Sequence, residues 1–468
     1  MLNDEIWTPA TKTEVPPVPL TLPAPRATRH GTVRAAPMPG SDTCPEACDV
    51  VIVGGGVCGA LTAWFLAKRG VAVTLCEKAE IGCESSSRAF GWVTELLSAP
   101  FKVDMAQRSK ALWQSIQEDA GELGFRQEGI AYLADQPAEL EFFGEWLSEV
   151  AGIGDAGNRL LSADEVARRY PGAARRFAGA LFSPSDGSVE PVLAATVVAA
   201  AARRAGARVV TDCAVRGLDV QAGRVAGVHT EKGSIRAARV LCAANAWSRL
   251  FCGNHGIDVP QLYVVMTLGR TTPTPGPDGA GGQEAWAWRK QIDGGYTLGG
   301  VTGVHAPVTR DALALYRMFR PLMKAQFGSA KPSFGRDCWR DLTIARRWDV
   351  QRASPFEKHR ILAGAADPSV PQGSLELNRK TFPEISATEV AETWAGTVVL
   401  TPDNTPIAGD VDALPGLHLL TGCGYGFSWG PALAEMSADL LMDRRPALDP
   451  APFRLSRFYD GSPIEVSH

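Results

Sequence analysis

The stretch from Asp49 to Lys78, DVVIVGGGVCGALTAWFLAKRGVAVTLCEK, constrains this chain more than any other. Val50 to Val53 is a continuous apolar run, of the kind buried on both faces of a parallel sheet. Gly54, Gly56 and Gly59 then spell G-x-G-x-x-G. From Val57 to Lys68 the spacing is helical, with Ala60, Ala63, Trp64 and Ala67 on one face and Gly70 as the stop. A second apolar strand, Val71 to Leu75, leads to Glu77, 18 residues beyond Gly59. In such a unit the first glycine permits a tight turn, the second lets a pyrophosphate approach the backbone, and the third lets helix and strand pack closely. The helix N-terminus offers N–H groups to the phosphates, and the terminal acid takes the ribose hydroxyls. The expectation is a dinucleotide-binding βαβ unit.

The next segment, GCESSSRAFGWV from Gly82 to Val93, selects among dinucleotides. A polar stretch with an arginine just after the second strand is what a flavin protein uses to contact FAD, whereas NAD dehydrogenases need no such segment. An ordinary surface loop is the alternative reading.

The 468 residues allow two or three domains. A net charge of −4 without blocks of like charge gives no reason to expect nucleic acid as a partner. No run of eighteen apolar residues occurs, so no membrane span is expected and the default is a soluble, cytoplasmic protein. The ten cysteines are scattered, as suits a reducing compartment. Cys44 and Cys48 form the only close pair, without a second pair or a histidine doublet, so no metal site is expected. Residues 1–47 are rich in Pro, Ala and Thr and lack periodicity, which reads as an extended arm or disordered leader.

Further along, Val192 to Gly206 is helical and a meander with a turn at Ala222 and Gly223 follows. RVLCAANAWS then reads as a parallel strand ending in small residues, Ala244 among them, where a cofactor can lie close. Residues 96–185 carry amphipathic helices, with Ser162 and Glu165 as a capping box. Residues 255–390 begin with strands. The fold expected is α/β with α+β character. A Rossmann-type FAD-binding domain (48–95, 186–254 and 391–445) is interleaved with an antiparallel-sheet substrate domain (96–185 and 255–390), and residues 446–468 form a tail. Near the end, GLHLLTG is a buried strand, GCGYGFSWG a glycine-rich turn, and PALAEMSADLLM a helix with Pro431 at or near its first position.

That turn contains G-x-S-x-G at Gly426, Ser428 and Gly430, the signature of a hydrolase nucleophile. Only 40 residues follow Ser428, and their sole histidine is His468, the last residue. The α/β hydrolases need an acid and a histidine in further elements beyond the serine, so the motif is better read as a flavin-binding turn.

These stretches resemble the FAD-dependent D-amino-acid oxidase superfamily, with glycine and sarcosine oxidases, and most closely its bacterial L-amino-acid deaminase branch. The resemblance rests on DVVIVGGGVCGALTAWFLAKRG, ESSSRAFGWV, AVRGLDVQAGRVAGVHTEKGSIRAARVLCAANAWS, LFCGNHGIDVPQL, TPDNTPIAGDV and DPAPFRLSRF, and spans residues 48 to 458. It implies noncovalent FAD, with Gly54, Gly56 and Gly59 at the pyrophosphate and Glu77, followed by Lys78, at the ribose. Ser87 and Arg88 would lie against the cofactor, the backbone of Val215 would meet the adenine, Ala244 would lie nearby, and Gly422, Gly424, Tyr425 and Gly426 would sit against the flavin ring. It also implies oxidation of the C–N bond of an amino acid or amine, with oxygen, a quinone or an electron-transfer chain as acceptor. No metal and no catalytic base are called for.

The related deaminases place an arginine shortly after a D-G-x-Y turn. Here Asp293 to Tyr296 match the turn but TLGGVTG follows without arginine, which leaves an amine lacking an Arg-clamped carboxylate as the rival substrate. Arg270 and Arg289 are the nearby candidates for a carboxylate fork. Trp92, Tyr296, Trp394, Thr397 and Tyr425 complete the expected substrate pocket. A flavin-binding protein without catalysis is the remaining alternative.

Overall fold

The computed structural model describes residues 21–153, 157–300, 303–326 and 330–467. Residues 1–20 of the expected leader, and His468, lie outside the described residues. Val50–Val53, all four residues buried, is central in a six-stranded sheet. The order is Arg208–Val210, Val73–Cys76, Val50–Val53, Arg239–Cys242, Leu417–Thr421 and Ile407–Asp410. The first five are parallel and the last is an antiparallel edge. The chain order reverses between Val50–Val53 and Arg239–Cys242, and in such sheets ligands bind beyond the strand ends at that crevice.

The helix after the glycine turn, Val57–Lys68, was expected to bury one face. It buries Val57 and every residue from Gly59 to Ala67. It is packed between the helices Pro191–Arg204 and Gly426–Leu440, so both flanks are covered as well as the sheet face. The meander Val215–Gln221, Arg224–Thr230 and Gly233–Arg236 is antiparallel, with its turn at Ala222 and Gly223, both at positive φ.

A second, larger sheet draws on distant segments. Its order is Lys331–Ser333, His305–Pro307, Leu262–Thr271, Tyr296–Gly299, Trp286–Lys290, Ala280–Gln283, Ile130–Ala134, Gly179–Ser183 and Arg159–Ser162. Segment 96–185, read for its helices, thus also supplies three strands besides the helices Pro100–Ala120, Pro137–Glu149 and Ala163–Arg169. The last of these helices has the expected capping box at Ser162 and Glu165. Val390–Leu400, grouped by sequence with the nucleotide segments, pairs with Leu262–Thr271 in the large sheet, from Leu400 opposite Leu262 to Val390 opposite Thr271.

Two local expectations change. Residues 21–47 are not a loose arm: Arg26–Thr28 and Gly31–Val33 form a hairpin, and Arg34 beyond it is buried against Glu392 and the Trp394 ring. Those partners lie over 350 residues away, out of reach of any local pattern. The last long helix begins at Gly426, so Pro431 sits inside it rather than at its start. Among the described residues, no helix is long and apolar enough to cross a membrane.

Candidate active site

One pocket gathers Gly54, Gly56, Glu77, Lys78, Val215 and Ala244 from the nucleotide side, with Thr397 from the large sheet. A Cβ on Gly59 would lie 2.0 Å from the Gly54 carbonyl oxygen, so helix and turn can approach only with glycine there. A Cβ on Gly56 would meet only Ser86 Oγ, at 3.2 Å; this glycine keeps its open side for the pocket. Glu77 accepts from Gly55 N at 2.7 Å and Ala79 N at 2.9 Å. Each oxygen keeps a lone pair for a ribose hydroxyl. Burial pushes its carboxyl up from the ordinary range. Lys78 Nζ donates to Glu84 Oε1 and to the carbonyls of His359 and Arg360, and lies over the Trp247 ring.

The polar segment is shifted from its expected roles. Ser85 and Ser86 line the pocket. Ser87 is buried with its hydroxyl toward the Glu84 carbonyl. Arg88 is spent on backbone carbonyls, donating to Ala395 O at 3.2 Å and Thr32 O at 2.9 Å, and burial lowers its pKa. Four-residue helix geometry over Ser85–Arg88 turns successive side chains apart, which the sequence spacing alone did not separate. Ser86 Oγ accepts from Val57 N, the first residue of the glycine-turn helix. Ser85 Oγ meets Thr397 Oγ1 at 2.8 Å and accepts from Asn245 Nδ2 at 3.1 Å. Asn245 stands at φ 45°, a left-handed position that asparagine tolerates better than most residues.

Gly422, Gly424 and Gly426 form the turn from Leu417–Thr421 into Gly426–Leu440, with Tyr425 at the helix N-cap. A Cβ on Gly424 would touch Val398, so the turn abuts the strand that carries Thr397. Tyr425 is 53% exposed and its ring lies 4.9 Å from Trp429. Trp92 lies between Phe90 and Tyr132, with centroids 5.0 and 5.6 Å away. Burial raises the Tyr132 phenol, and Tyr425 and Asp186 add to the shift. Tyr132 was not anticipated from sequence, because its strand hides in a segment dominated by helical periodicity. Trp92 Nε1 is buried without a hydrogen-bond partner, and no partner holds the Tyr132 or Tyr425 hydroxyl among the described residues.

The arginine candidates are engaged elsewhere. Arg289 is fully buried, ion-paired to Glu190 at 3.0 Å, and donates to Phe90 O and Thr297 Oγ1. Arg270 lies 3.3 Å from Glu392. Tyr296 is core: it packs with Trp286, Trp288 and Phe382, and its hydroxyl donates to Pro277 O. Trp394 Nε1 donates to Arg88 O at 3.0 Å, fastening the strand over the polar segment.

Ser428 is buried, and its Oγ accepts from Thr94 N at 3.0 Å. Thr94 continues to Asp186, which shares Lys110 with Glu95 in a buried charged cluster. A Ser–His–Asp chain occurs instead at Ser437, His418 and Asp410, but its serine and histidine are wholly buried between helix and sheet.

A family model described as FAD dependent oxidoreductase matches residues 49–440. The chain belongs to the FAD-dependent oxidoreductase family. The structure of L-amino acid deaminase from Proteus myxofaciens, in complex with anthranilate, is 31% identical with a TM-score of 0.87, covering 91% of this chain and 97% of that one. Glycine oxidase from Pseudomonas putida is 26% identical over 86% of this chain and 97% of its own length. Mouse mitochondrial sarcosine dehydrogenase is 25% identical over 90% of this chain, and the match spans 42% of its length. The cofactor of this flavoenzyme is FAD, and the pocket suits it: the open side of Gly56 and the free lone pairs of Glu77 fit a pyrophosphate and a ribose.

Proposed function

We propose that this flavoenzyme oxidises the C–N bond of an amino acid with a bulky apolar side chain, and that neutral donors hold the substrate carboxylate. Noncovalently bound FAD supplies a hydride acceptor, and the imine left on the substrate hydrolyses to a keto acid and ammonia. The observation carrying this reading is the Trp92–Tyr132–Tyr425 group, three N–H and O–H donors without partners beside the glycine turn. Trp92 N–H and the two phenols can donate to carboxylate oxygens, and the bond from the buried Trp92 N–H is stronger than it would be in water. Phe90 and Trp92, both half-buried, offer apolar surface to a large side chain and exclude water.

The engagement of Arg270 and Arg289 favours one rival, an amine without a carboxylate. Anaerobic mixing with bulky apolar amino acids and with the matching decarboxylated amines tests the choice, read by bleaching of the flavin. Bleaching by the amino acids supports the proposal; bleaching by the amines alone overturns it.

A further inference from the structure

At the adenosine end of the pocket, the sulfurs of Cys44, Cys76 and Cys213 all lie within 4.8 Å of one another. They come from three separate segments. Cys76 ends the strand that leads to Glu77, and Cys213 N donates to the Glu77 carbonyl at 2.8 Å. Cys44 arrives on the arm, which is held by a bridge of Ser41 to Val210 and by Arg208 donating to Thr43 O and Oγ1. Cys76 and Cys213 are buried and Cys44 is half-buried, so the group opens to solvent on the Cys44 side alone. Cys48, the sequence neighbour that made the only close pair, points away and donates to Val50 O.

We propose that Cys44, Cys76 and Cys213 form a three-thiolate site for a d10 metal ion, zinc being the first choice, that fastens the arm to the strand end carrying Glu77. The Cys44 and Cys213 sulfurs are 3.6 Å apart. Two sulfurs at about 2.3 Å from a tetrahedral zinc lie roughly 3.8 Å apart, so binding needs only a small adjustment. A disulfide needs about 2.05 Å, a much larger one. Three thiolates and Zn²⁺ leave one negative charge, and Lys232 stands near enough to Cys44 to offset it. Water takes the fourth position on the open side. The site is illegible in sequence because its residues are 32 and 137 positions apart.

Cobalt substitution tests it. Reduced, chelator-treated holoenzyme is titrated with Co²⁺, whose tetrahedral thiolate complex absorbs in the red, beyond the flavin bands. The expected result is one cobalt per chain, displaced by zinc, in the wild type and in Cys48→Ser. Cys44→Ser and Cys213→Ser lower the affinity by more than about 100-fold. Because Cys44 is half-buried, Cys44→Ser keeps the test valid if Cys213→Ser fails to fold, with retained FAD as the folding control. Absence of the band in the wild type overturns the site, as does its persistence in Cys44→Ser or its loss in Cys48→Ser. An intact mass showing a Cys44–Cys213 disulfide that persists through treatment with reductant overturns it too.

Discussion

Trp113 Nε1 donates at 2.8 Å to the carbonyl of Phe427, the carbonyl that Pro431 leaves without its helical partner. A proline inside a helix removes the i to i−4 bond and opens that carbonyl. Here the opening falls just after the glycine turn, and a buried indole from the helix Pro100–Ala120 closes it. Trp113→Phe strands the carbonyl and lowers stability by about 1–3 kcal/mol, in addition to the loss of packing. Adding Pro431→Ala returns the amide, so the double variant recovers part of the loss in a denaturant titration. A double variant no more stable than Trp113→Phe contradicts the assignment.

Two glycines of one motif separate cofactor binding from folding. Gly56 is extended and lines the pocket, so Gly56→Ala folds with a small adjustment of Ser86 but its methyl group crowds the proposed pyrophosphate position. FAD affinity, measured by flavin fluorescence on mixing with apoprotein, falls at least tenfold, about 1.4 kcal/mol. Gly59→Ala forces a methyl group against a backbone oxygen and lowers soluble yield or melting temperature instead. Equal FAD affinity in Gly56→Ala and wild type would falsify that position.

The nucleotide unit was legible because its physics is local: strand, turn, helix and acid follow within thirty residues, and each spacing is set by the ligand. The large sheet was only half legible. Ile130–Ala134 and Gly179–Ser183 are short and buried, without the alternation that marks a half-exposed strand, and they pair with each other across an intervening stretch that holds two helices and a strand. Arg289 looked like a ligand arginine because its partner, Glu190, is a hundred residues upstream. Ser87 and Ser85 were interchangeable in sequence; a single helical turn decides which faces the pocket.

Removing the neutral donors one at a time measures what holds the substrate. Trp92→Phe, Tyr132→Phe and Tyr425→Phe each delete one N–H or O–H while keeping an aromatic wall. Each raises KM for a carboxylate-bearing substrate by roughly tenfold, the effect of one hydrogen bond of about 1.5 kcal/mol. Flavin content stays unchanged. Arg270→Lys, by contrast, shifts KM less than about twofold, since this guanidinium serves Glu392. A large KM effect at Arg270 with none at the three donors would return carboxylate recognition to an arginine.

Lys102 gives the fold a pH signature. Its side chain is wholly buried, with Nζ donating to Asn404 O at 2.8 Å and Ser467 O at 3.2 Å, and lying 4.9 Å from the Trp429 ring centre. Burial lowers its pKa from 10.5 to about 7, opposed by Asp403 and assisted by Arg457. Between those two values the unfolded chain carries a proton that the folded chain does not, so this residue makes stability rise with pH through that window. Below about pH 7 the folded amine is charged and the full cost of burying it is present. Lys102→Met removes the titration, so the wild type gains on this variant by up to about 1.4 kcal/mol per pH unit between pH 7 and 9. Denaturant titrations of both proteins across that range measure the gain directly. A difference that stays flat with pH means Lys102 is not the group that titrates.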